Sequence, residues 1–98
     1  MDLRGIKRLV ERGEWDYSEK VRTKIESGEF YEEDIEACIA SAQRVQKREV
    51  DERGTSLSGY KYVVVGRNRS GRPFYTAGKP IGSDEGTVYF IITAHEAK

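Results

Sequence analysis

The chain has one cysteine, one tryptophan, one histidine and two prolines among 98 residues, and no long apolar run. A lone cysteine, Cys38, closes no internal disulfide and lacks the partners of a zinc site, which fits a reducing compartment. It reads as a small core residue, the usual place of a free cysteine. A single histidine with no second ligand at a known spacing gives no basis for a transition-metal centre. A membrane-spanning helix takes about 20 consecutive apolar residues, whereas the longest runs here are Tyr62–Val65 and Val88–Ile92. Met1-Asp2-Leu3-Arg4-Gly5 has neither the apolar region nor the small-residue cleavage site of a secretory signal. The expectation is therefore a cytoplasmic protein with no membrane partner. The ten glycines match neither a dinucleotide nor a Walker spacing, and no cofactor is expected.

What is abundant is charge, at 35% of residues against 37% hydrophobic, with a mean hydropathy of -0.72. A single domain over residues 1–98 is the natural reading of this length, and its core must be lean. The net charge is zero, yet residues 1–52 carry 10 Lys/Arg and 14 Asp/Glu while residues 53–98 carry seven and three. From Arg53 to Ser83 there is no carboxylate. Two consequences stay open: a positive surface that meets an anionic partner, or acidic helices folded over a basic sheet.

Asp2 caps a first expected helix with Leu3, Ile6, Leu9 and Val10 as its apolar stripe, ending near Gly13. Asp16 with Glu19 resembles a capping box for a second helix, in which Tyr17, Val21 and Ile25 share a face until Gly28. Ile35, Cys38, Ile39 and Ala42 define a third behind the acidic turn Glu32, Glu33 and Asp34. Beyond Arg44 the spaced glycines cut the chain into strand-length pieces. The strands read as Val45 to Asp51, Tyr60 to Val65, Pro73 to Ala77 and Thr87 to Ala94. In the last of these Val88, Phe90, Ile92 and Ala94 are the better candidates for the face under the helices. The fold class is α+β: two or three N-terminal helices packed on one face of a three- to four-stranded antiparallel sheet.

Several residues carry candidate chemistry on the other face. His95 is the one group that moves a proton near neutral pH. Tyr75 and Phe74 must point to opposite faces, and with Phe74 inward the Tyr75 phenol is presented beside Lys61, Arg72 or Lys79. Arg67, Arg69 and Arg72 surround a glycine-flanked turn, where guanidinium forks suit phosphates. The acidic set Glu29, Glu32, Glu33, Asp34 and Glu36 reads as a solvated helix start. Each basic or aromatic group has a plain alternative, as a surface histidine, a packing tyrosine or a solvated hairpin tip.

The order of Gly59-Tyr60-Lys61-Tyr62, Gly71-Arg72-Pro73-x-Tyr75 and Ile91-Ile92-Thr93-Ala94-His95 resembles a small bacterial domain family of unknown function. That family is similar to the RelE- and MqsR-type toxins of toxin-antitoxin systems, compact α+β ribonucleases that cut mRNA without a metal. The likeness spans roughly residues 17 to 96. It implies that Tyr75 and His95 are active-site side chains with Arg72 and Lys79 close by, and that RNA and a cognate antitoxin are the partners. The family often places a lysine or arginine where this chain has His95. Metal-independent cleavage needs the 2′-hydroxyl deprotonated, the phosphate charge stabilised and the 5′-oxygen protonated. On this expectation Tyr75 or His95 handles protons, Arg72 and Lys79 hold the phosphate, and Lys61, Arg67 and Arg69 track the strand. The alternative is a non-catalytic RNA- or protein-binding module.

Overall fold

The computed structural model describes residues 1–97. The first helix, α1 (Leu3–Glu11), begins where expected: Asp2 Oδ1 accepts from the Gly5 N–H at 2.9 Å, satisfying one of the orphan amides of the first turn. Ile6 and Val10 are buried. The second helix differs at its start. Trp15–Tyr17 forms a short strand, β1, and Asp16 is not a cap. Ser18 caps α2 (Glu19–Glu26), its Oγ accepting from the Val21 N–H at 3.2 Å and donating to Ile92 O at 2.9 Å. One hydroxyl thus ties the helix to the sheet. In α3 (Glu32–Ser41), Ile35, Cys38 and Ile39 are buried, and Asp34 Oδ2 accepts from the Tyr31 N–H at 2.9 Å.

The remaining strands are β2 (Lys47–Val50), β3 (Tyr60–Arg67), β4 (Pro73–Ser83) and β5 (Gly86–Glu96). They form one sheet in the order β1-β5-β4-β3-β2. The domain is α+β as expected, but the sheet has five strands and is mixed, because β1 runs parallel to β5. The expected three- to four-stranded antiparallel sheet is corrected accordingly. β4 also extends six residues beyond Ala77, through Pro80. Its pairing with β3 stops at Gly78, so Pro80 sits on an edge segment, where a missing N–H is tolerated.

All three helices feed one core cluster with Tyr62, Val64, Phe74, Tyr89, Ile91 and Ala94, so they share one face of the sheet. The expected inward set on β5 holds only for Ala94; Tyr89 and Ile91 are the buried residues in place of Val88, Phe90 and Ile92. The reason is a bulge. Ala77 pairs with Thr93 but Gly78 pairs with Ile91, so Ile92 is an extra residue and the alternation changes phase there. Two glycines permit the close approaches of this core. A Cβ at Gly78 would lie 2.7 Å from the Tyr89 ring, and one at Gly66 would lie 2.1 Å from the Cys38 carbonyl oxygen of α3. Among the described residues no helix is long and apolar enough to cross a membrane.

Candidate functional site

Alternation on β4 works as expected around Phe74, which is 1% exposed and meets the Phe30 ring edge-on at 5.3 Å between centroids. Tyr75 therefore faces away from the helices. It pairs directly with His95 on β5, and the two rings stack with centroids 4.6 Å apart and planes 13° from parallel. Tyr75 is half-buried and His95 is exposed. His95 Nδ1 lies 3.0 Å from the Glu96 carbonyl oxygen. A carbonyl only accepts, so this contact is made with a proton on Nδ1, which leaves Nε2 without a protein partner among the described residues.

Arg72 engages the residue next to His95: Glu96, the cross-strand partner of buried Phe74, turns to the opposite face from His95, and its Oε1 accepts from Arg72 Nη1 at 3.3 Å. Both partners are largely exposed, at 70% and 56%, so the bond is weak and exchangeable. The turn that carries Arg72 is built by Asn68, whose Oδ1 accepts from the Ser70 and Arg72 N–H groups at 2.9 and 3.0 Å. Tyr31, Asp34, Arg69, Arg72, His95 and Glu96 are among the residues around a cleft of about 460 Å³ between that turn, the α2–α3 connection and the end of β5.

The other expected phosphate and RNA contacts are distributed differently. Arg69 is held by α3: its Nε lies 3.5 Å from Asp34 Oδ1, its N–H donates to the same oxygen at 3.2 Å, and its guanidinium covers the Tyr31 ring at 5.2 Å. Asp34 is buried rather than part of a solvated turn, because it serves both the helix start and this loop. Arg67 donates from Nη1 to Gly71 O at 2.8 Å, bracing its own turn.

Lys79 does not lie close to Tyr75 as expected. It is 6% exposed, its Nζ lies 3.3 Å from both oxygens of Asp51, and it stands four residues from Tyr75 along β4, about 13 Å at strand rise. Lys61, in register with Glu49, is four residues from Val65, the β3 partner of Tyr75. The fold thus gathers Tyr75 and His95, sets Arg67, Arg69 and Arg72 at the adjoining turn with Arg72 held by Glu96 on the helix side, and leaves Lys61 and Lys79 at the far end of the sheet.

Asp51 belongs to no functional motif in the sequence, although the run to Thr55 and Ser56 is a loop-capping signal. Burial pushes its carboxyl pKa up, but the Ser56 N–H, the Lys79 ammonium and the Arg53 N–H outweigh this and hold it below the ordinary value. Cys38 is inert in the core: burial pushes its pKa up to about 11, and its thiol donates to Phe74 O at 3.3 Å. Among the described residues no group of three or more His, Cys, Asp or Glu converges on a metal position.

Comparison of the chain with protein-family models, with curated proteins and with solved structures returned no match. The fold class and the geometry of this face therefore carry the functional reading.

Proposed function

We propose that the chain is a metal-independent endoribonuclease of the RelE/MqsR toxin kind, acting on single-stranded RNA. The observation that carries this reading is the Tyr75–His95 stack on the helix-free face. The resemblance of the Gly-Arg-Pro-x-Tyr and Ile-Ile-Thr-Ala-His segments to that toxin group supports it, and a cognate antitoxin is the protein partner it implies.

In this mechanism His95 Nε2 accepts the 2′-hydroxyl proton, and the 2′-oxygen forms a bond to phosphorus as the bond to the 5′-oxygen breaks. The Tyr75 phenol protonates the departing 5′-oxygen, and solvent returns the proton from the imidazolium to the phenolate. Arg72, exposed at the same end of the sheet, exchanges Glu96 for the phosphate by swinging around the strand ends and balances the added charge. The products are a 2′,3′-cyclic phosphate and a 5′-hydroxyl.

The test is incubation of purified protein with single-stranded RNA in EDTA. Cleavage to cyclic-phosphate ends is expected, slowed about 10²- to 10⁴-fold by His95→Ala and reduced by Tyr75→Phe. Intact RNA with the native chain, or equal rates in all three, overturns the proposal. A second reading, a non-catalytic RNA-binding module, is favoured by the engagement of Arg69 and Lys79 with carboxylates. It is marked by salt-sensitive binding that leaves the RNA intact.

A further inference from the structure

β3 is longer than its partner. Its pairing with β2 covers only Tyr60 to Val63, so from Val64 to Arg67 its outer edge has no strand beside it. The space where β2 would continue is a notch of about 420 Å³ lined in part by Ser41, Gln43, Arg44, Gln46, Val65 and Arg67. None of the residues lining it is a carboxylate. By contrast, the cleft beside Arg72 contains Glu29, Asp34 and Glu96. Among the described residues Arg44 forms no ion pair, and Arg67 bonds only the Gly71 carbonyl through its side chain. Two guanidinium groups, each with several free donors, thus face a pocket with no compensating charge.

One feature of the notch opposes an anion: α3 ends there, and helix C-termini carry partial negative charge. Its last carbonyls are largely occupied. The Ala42 N–H bonds the Cys38 and Ile39 carbonyls at 3.1 and 3.3 Å, and Ser41 Oγ donates to Cys38 O at 3.2 Å. Ser41 Oγ in turn accepts from the Arg67 N–H at 2.8 Å, closing the β3 end.

The notch is also aligned with the stacked rings. His95 pairs with Tyr75, and Tyr75 pairs with Val65, so one register row crosses β5, β4 and β3 and runs into the notch. At about 4.8 Å per strand the distance from His95 to the vacant β2 position is about 14 Å.

We infer that this notch is a phosphate-binding subsite for the RNA strand, in which Arg44 and Arg67 hold a backbone phosphate flanking the one at Tyr75 and His95, with Gln43 and Gln46 as supporting donors. The inference rests on the ribonuclease reading for its ligand, and its test separates the two. The probe is a fluorescein-labelled 2′-O-methyl RNA hexamer, which lacks the attacking hydroxyl and reports binding alone by anisotropy.

Arg44→Ala is expected to weaken binding several-fold and to reduce the slope of log affinity against log[KCl] by about 0.7, one single-strand phosphate contact. Arg44→Glu is expected to weaken it more than tenfold, while Lys20→Glu, the same charge change on α2, leaves it within twofold. Wild-type affinity and slope in Arg44→Ala, or equal losses in Arg44→Glu and Lys20→Glu, overturn the subsite. Inorganic phosphate is expected to displace the hexamer no better than KCl of equal ionic strength. Stronger displacement makes this a free-phosphate site and overturns the RNA assignment. If unmodified RNA is never cut while hexamer binding still depends on Arg44, the ribonuclease reading fails and the subsite stands; cleavage without Arg44 dependence is the reverse.

Discussion

Lys79 Nζ sits 3.3 Å from each carboxylate oxygen of Asp51, with side-chain exposures of 7% and 1%. Asp51 also accepts from the Thr55 and Ser56 N–H groups at 3.0 and 2.8 Å, so the pair clamps the loop between β2 and β3 onto β4. Removing one partner of a buried pair strands the other charge. Lys79→Met is expected to lower the melting temperature by on the order of 10 °C, measured by circular dichroism at neutral pH.

The same clamp sets an acid limit. The Asp51 carboxyl is held below its ordinary 3.8 in the fold, so the folded state takes up its proton less readily than the unfolded state. Its contribution is complete well above pH 3.8 and is lost as pH falls through the lower folded-state value. Thermal melts from pH 7 to pH 2 are expected to show native stability falling below about pH 4. Asp51→Asn should start less stable and fall less over that range; parallel curves for the two chains contradict the assignment.

Tyr89 is fully buried, and its hydroxyl has no hydrogen-bond partner among the described residues. Burial also raises its pKa, so the phenol stays neutral and pays for desolvation without return. Tyr89→Phe is expected to stabilise the domain by about 1 kcal/mol, read as a melting point higher by roughly 4–8 °C. A lower melting point shows that the hydroxyl is satisfied in solution.

Gly66 marks the closest approach of α3 to the sheet. Because a Cβ there would overlap the Cys38 carbonyl, and backbone cannot rotate aside, Gly66→Ala is expected to destabilise by about 3 kcal/mol or more. Urea unfolding measures it, with Gly71→Ala as comparison: no atom lies within 4 Å of a Cβ there, although φ is +80°. A smaller loss at Gly66 than at Gly71 contradicts the packing argument.

Local signals were legible and distant ones were not. The apolar stripes of the first and third helices, the Asp2 cap and the inward turn of Phe74 follow from periodicity and short-range hydrogen bonding, and the structure shows each, whereas Tyr17 of the second stripe belongs to β1. β1 was hidden because Trp15-Asp16-Tyr17 is too short for a period and owes its strand geometry to β5, more than 70 residues away. The inward face of β5 was reversed by one inserted residue at Ile92, which alternation cannot register. At the site, Tyr75 and His95 were individually visible, whereas their stacking depends on the β4–β5 register. Lys79 read as a free cation because Asp51 lies 28 positions away. Arg44 marked only the change of period before a strand expected from Val45, and the notch exists because β2 begins at Lys47.

The final strand lies between β1 and β4 rather than at an edge. A growing chain therefore makes its helices and four of its strands before the piece that joins the outermost one to the rest. Until Gly86–Glu96 emerges, Trp15–Tyr17 has nothing to zip against, and one half of the proposed reaction centre does not yet exist.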